Sequence, residues 1–101
     1  MSEDEKTIDN KIYRILIVDD EQNILDSLLS LLERNEYFKS KVVTVNSAEA
    51  GLKELEKKEF DLVLSDYKMP GMNGVEFLGK VRGKYPKTIL VCLSPVTLMP
   101  R

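Results

Sequence analysis

The sequence contains no histidine, no tryptophan and a single cysteine, Cys92. Without histidine, imidazole can be neither a general base nor a metal ligand. A Ser–His–Asp hydrolase and a Cys–His zinc site are therefore excluded. One cysteine cannot close an internal disulfide. Long hydrophobic runs are missing too: no stretch approaches the roughly 18 apolar residues a spanning helix needs, and no basic-then-apolar signal segment opens the chain. These absences predict a cytoplasmic protein that does not engage a membrane. Glycine and proline are sparse, five and four in 101 residues, which excludes collagen-like and low-complexity chains. What is present, 43% hydrophobic and 32% charged residues, is the balance of a globular chain long enough for one domain.

A formal charge of −2 conceals an asymmetry. Residues 1–76 carry a net −7, whereas residues 77–101 have no acid and a net +5. Lys80, Arg82, Lys84 and Lys87 fall at and just beyond the end of an expected helix, where cations complement the helix dipole. They are too few, and too little interleaved with aromatics, for a nucleic-acid surface. Nucleic-acid binding by this chain alone is not expected.

Residues 1–11 read as a loose acidic tail. Four short runs rich in Val, Ile and Leu follow, at Ile12–Val18, Lys41–Val45, Leu62–Leu64 and Thr88–Leu93, as buried parallel strands require. Between them lie three amphipathic helices. The first starts at Glu21 and places Ile24, Leu25, Leu28, Leu29 and Leu32 on one face, with Asp20 and Glu21 at its amino terminus. The second has Ser47 as N-cap and buries Ala48, Leu52 and Leu55. The third begins at Asn73 with Glu76 three residues on, presents Val75, Phe77, Leu78 and Val81, and stops at Tyr85-Pro86. The order βαβαβαβ implies an α/β fold, a doubly wound parallel sheet with helices on both faces in three layers.

Ligands of such sheets bind outside the carboxyl ends of the strands. There the sequence places Asp19 and Asp20 after the first strand, Asp66 at the end of the third, and Ser94 at the end of the fourth. If the first and third strands are neighbours, three carboxylates converge. Clustered carboxylates repel, and an all-oxygen set favours a hard divalent cation such as magnesium, manganese or calcium. A carboxylate beside such a cation can attack a phosphoryl group. Each feature also has a plainer reading: an Asp pair as a helix cap, Ser94 as a strand-end hydroxyl, Met69-Pro70-Gly71 as a turn.

The segments ILIVDDE at 15–21, LVLSDYKMPGMNGVEFL at 62–78 and ILVCLS at 89–94 closely resemble the receiver domain of two-component response regulators. The resemblance covers residues 12–94. It implies the flavodoxin-like, CheY-like fold with sheet order 2-1-3-4-5, and a signalling module, not an enzyme. It also implies that Asp66 accepts a phosphoryl group from a histidine kinase or phosphotransfer protein in a phosphorelay. Mg2+ would be held at Asp19 and Asp20, with Asp20 the direct ligand, by Asp66, and by the main-chain carbonyl of Lys68. Ser94 matches the switch hydroxyl.

After Ser94 the pattern departs from the family. Residues 95–101, PVTLMPR, form a non-family tail. The last helix–strand–helix of a receiver, with its phosphoryl-binding lysine, is not found, and Pro95 has no N–H to offer. These departures predict a weakly stabilised phosphorylated state and a bare outer face on the fourth strand. They support an alternative: a degenerate, truncated receiver acting as a phosphorylation-independent interaction module, dimeric through its exposed fourth strand. A phosphatase-like aspartyl enzyme is disfavoured because Lys68 stands where a second acid is needed. Gly71–Gly74 matches neither a dinucleotide-binding nor a P-loop pattern.

Overall fold

The computed structural model describes residues 11–66 and 71–93. The expected amino-terminal tail up to residue 10, the Lys68 carbonyl, Ser94 and the carboxyl-terminal tail lie outside the described residues. The elements run β1 (Ile12–Val18), α1 (Gln22–Arg34), β2 (Lys39–Val45), α2 (Ala48–Lys57), β3 (Leu62–Asp66), α3 (Gly74–Lys84) and β4 (Ile89–Leu93). All strands are parallel, in the order β2-β1-β3-β4.

Strand limits differ from the sequence expectation at three ends. β2 begins at Lys39, not Lys41, because pairing with β1 starts at Ile12↔Lys39. β3 continues past Leu64 to Asp66, held by β4 through Asp66↔Leu93. β4 begins at Ile89, since Thr88 turns its hydroxyl to donate to the Phe60 carbonyl at 2.9 Å. In each case the ladder, not the apolar run, decides where a strand ends.

The sheet has two unlike faces. Ile15 and Ile17 of β1 face α1, which buries Leu25 there with Leu28 and Leu32 half-buried. Leu16, Val18 and Val63 face α2 and α3, joined by Ala48, Leu55, Phe60, Phe77 and Val81. At about 1.5–3 kcal/mol for each large side chain fully removed from water, this second layer is the main source of apolar stabilisation. The expected three-layer arrangement is observed.

Helix ends follow local rules where a small polar residue supplies an oxygen. Ser47 Oγ accepts from Ala50 N–H at 3.1 Å, and Asn73 Oδ1 from Glu76 N–H at 2.8 Å. Glu21 proves to be the residue that precedes the first helix, without a side-chain cap bond. Three expected core contributions also need correction. Ile24 is 39% exposed and Val75 58% exposed, because neither lies over the sheet once α1 and α3 are seated. In α2 the fully buried positions are Ala48, Gly51 and Leu55, with Leu52 at the margin.

β4 is the outer strand. Leu90 packs against the α2–α3 layer, but Ile89 is 63% and Val91 37% exposed on the opposite face. One helix, α1, lies on that face and reaches β1 and β2. The bare outer face expected for the fourth strand is present among the described residues.

Candidate metal and acceptor site at the carboxyl edge of the sheet

β1 and β3 are adjacent, in register Val18↔Ser65, so Asp19 and Asp66 leave the sheet side by side. Asp20 follows Asp19 in the β1–α1 connection. One carboxylate oxygen from each of Asp19, Asp20 and Asp66 lies within 4.8 Å of the others. The three differ in setting: Asp19 is buried, Asp66 half-buried and Asp20 exposed.

Asp19 is anchored from both sides. Its N–H donates to the Val45 carbonyl of β2 at 3.1 Å, and its Oδ1 accepts from Glu21 N–H at 2.9 Å. Burial pushes its carboxyl above the ordinary carboxylate value. The Glu21 N–H bond opposes that rise, while the charges of Asp66, Asp20 and Glu21 add to it. A buried carboxylate facing two more carboxylates is short of positive charge, and a hard cation would supply it. The all-oxygen donor set fits Mg2+. Of the expected ligands, three are brought together; the Lys68 carbonyl and the Ser94 hydroxyl lie outside the described residues.

Beyond Asp66 the chain re-enters the described structure at Gly71, with φ +79°. This is left-handed backbone that glycine adopts without strain; the rest of the expected Met69-Pro70-Gly71 turn lies outside the described residues. Cys92, in β4 beside Ser65, has its thiol pushed up by burial and then by the Asp66 charge, so it stays protonated and weakly nucleophilic. A surface hollow of about 490 Å3 lined by Tyr13, Tyr37, Phe38 and Ile89 lies at the opposite, amino-terminal edge of the sheet. It holds no carboxylate cluster, and the chemistry stays at the carboxyl edge.

One residue of the site was not singled out from sequence. Ser65 is fully buried, directly before Asp66, and its Oγ donates to the Asp66 carbonyl at 3.1 Å. The available signal was a hydroxyl set inside the apolar run LVLSD.

Comparison with known proteins agrees with this geometry. Residues 15–98 match the response regulator receiver domain. The chain is 34% identical over 88 residues to the hydrogenase transcriptional regulatory protein HoxA of Cupriavidus necator, covering 87% of this chain and 17% of that protein. It is 40% identical over 75 residues to the response regulator protein FleR of Pseudomonas aeruginosa, covering 72% of this chain and 15% of that one. The chain thus spans under a fifth of these relatives' length. Among solved structures, the signal receiver domain of an HD domain-containing protein from Pseudomonas fluorescens superposes with TM-score 0.76 at 31% identity, over 83% of this chain and 65% of that one. Response regulator TrrA of Thermotoga maritima, solved in complex with Mg2+ and BeF, superposes with TM-score 0.71 at 35% identity, over 81% and 69%. The chain belongs to the response regulator receiver domains, the receiving modules of two-component systems.

Proposed function

We propose that this receiver accepts a phosphoryl group on Asp66 from a phosphohistidine of a histidine kinase or phosphotransfer protein. The observation that carries the reading is the convergence of Asp19, Asp20 and Asp66 within 4.8 Å at the carboxyl edge of the sheet. An Asp66 carboxylate oxygen forms the new P–O bond as the donor's P–N bond breaks, and the electron pair returns to the imidazole nitrogen. Asp19 and Asp20 stay unmodified; with Asp66 and the Lys68 carbonyl they are the residues that would hold Mg2+. Mg2+ held by these residues would supply charge neutralisation of the phosphoryl oxygens. Asp19, fixed by Val45 and Glu21, keeps its carboxylate aimed at the site, and Ser94 is assigned the switch hydroxyl.

A small phosphodonor with Mg2+ should add one phosphate to the wild-type chain, read by intact mass, and none to Asp66→Ala. Asp20→Ala should slow labelling by at least about tenfold, as loss of a metal-binding group does. Equal labelling of wild type and Asp66→Ala defeats the assignment.

A second reading concerns the partner. The exposure of Ile89 and Val91 on an outer strand favours a homodimer through β4. Antiparallel pairing about Val91 sets Ile89 opposite Leu93 and satisfies the free edge. It also brings the basic stretch that precedes β4, Lys84 and Lys87, towards the acidic edge of the second copy. Such a contact operates with or without phosphate on Asp66.

A further inference from the structure

We infer that Ser65 is a positioning residue for the acidic site, its buried hydroxyl setting the direction of the Asp66 main chain and so of the Asp66 carboxylate. The inference rests on the phosphoacceptor reading and names a determinant of that same site. Ser65 is 0% exposed, on the face covered by α2 and α3 beside Val63. A hydroxyl placed there loses water and costs stability unless bonded. Ser65 Oγ finds its acceptor on the next residue, the Asp66 carbonyl, at 3.1 Å. That carbonyl belongs to the last residue of β3, where the strand stops being held over its full length by its neighbours.

Position explains the consequence. β1 pairs with β3 as far as Val18↔Ser65, and β4 adds Ser65↔Cys92 and Asp66↔Leu93. The acceptor therefore has ladder support from β4 but stands one residue beyond its last pairing with β1. Fixing its carbonyl fixes its ψ, and side-chain rotamers follow backbone angles. The Asp66 carboxylate is thereby held towards Asp19 and Asp20 before any cation arrives. An alanine would satisfy the core equally well and leave that peptide held by the β4 ladder alone.

The test is a Mg2+ titration of the full chain, followed by the amide resonances of Asp20 and Asp66, with a thermal melt in the absence of metal. Ser65→Ala should raise the half-saturating Mg2+ concentration about 3- to 10-fold, the range expected for one neutral hydrogen bond. Its metal-free melting temperature should stay within about 4 °C of wild type. Ser65→Thr, which keeps the hydroxyl, should restore wild-type affinity. Should Thr lower the melting temperature through crowding, Ser65→Cys replaces it, and its weak donor should give an intermediate value. Unchanged affinity in Ser65→Ala, or a hydroxyl-bearing variant that folds as wild type yet binds as Ala does, overturns the inference. Phosphodonor labelling runs in parallel. A wild type that never labels defeats the acceptor reading, while the titration still decides the role of Ser65.

Discussion

At the scale of single residues, contact distances separate two glycines that look alike in sequence. Gly51 of α2 lies against the α3 ring and β1. A methyl group there would meet Phe77 Cζ and Val18 Cγ2, each at 3.1 Å. Both neighbours are 0% exposed, and a packed core yields little. Gly79 of α3 has nothing within 4 Å of the same position. Replacing a helical glycine by alanine gains up to about 1 kcal/mol where space is free. Gly79→Ala should therefore stabilise the fold by about 0.5–1 kcal/mol. Gly51→Ala, facing an overpacking cost of about 1–3 kcal/mol, should destabilise it on balance. Urea unfolding midpoints of the two variants should move in opposite directions. Sequence reading placed Ala48, Leu52 and Leu55 on the buried face and passed over Gly51, because hydrophobicity marks which residues avoid water and not where backbones approach closely.

At the scale of elements, Asp61 acts as a clasp on the strand starts. Its N–H donates to the Arg14 carbonyl at 2.8 Å, its carbonyl accepts from Ile89 N–H at 3.0 Å, and its Oδ2 accepts from Arg14 N–H at 2.9 Å. Lys11 Nζ lies 3.1 Å from Oδ1. One residue so joins the beginnings of β1, β3 and β4. The Arg14 N–H bond, with the lesser help of Lys11 and against the pull of burial, holds the Asp61 carboxyl below its ordinary value of 3.8. Because the folded chain binds this proton less readily than the unfolded one, the contribution is complete above pH 3.8 and is lost as pH falls through the lower folded value. Asp19, held above its ordinary value, has the opposite sign: its burial disfavours the fold more as pH rises. Asp61→Asn keeps an oxygen acceptor but does not titrate there. Its urea midpoint should fall less steeply than that of wild type below pH 3.8; parallel curves would remove Asp61 from the acid response.

The elements themselves were largely legible. Ser47 and Asn73 announce their helices because a cap is a bond between residues three apart, readable within a short window. The starts of β2 and β4 were not. Lys39 and Ser40 are polar, and join β2 only because β1 offers them partners. Ile24 and Val75 misled for the converse reason. Periodicity marks an apolar stripe, but how much of it is covered depends on where the helix crosses the sheet.

At the scale of the whole molecule, the parallel sheet separates an acidic carboxyl edge from an amino-terminal edge bearing Lys11 and Lys87, and among the described residues β4 is paired on one side only. The dimer reading belongs at this scale. Sedimentation at micromolar concentration should show a species heavier than the monomer, and Val91→Lys should return it to monomer by placing a charge on the edge. A compact monomer for the unsubstituted chain would sink the β4 contact. Among the described residues no helix is long and apolar enough to cross a membrane.

Alternation of apolar runs and amphipathic segments by itself determined that this chain makes a βαβαβαβ sheet, because burial on both faces and helical period are written in neighbouring residues. The motif around Asp66 likewise marked the proposed acceptor, with Asp19 and Asp20 as its acidic companions. That the companions meet Asp66 was decided by tertiary structure alone. Crossovers place β3 beside β1, bringing together carboxylates 46 and 47 positions apart in the chain. The same placement buries Ser65 beneath the site and leaves Ile89 and Val91 uncovered. Each of these is a consequence of which strand lies next to which, and local sequence carries no term for that neighbour.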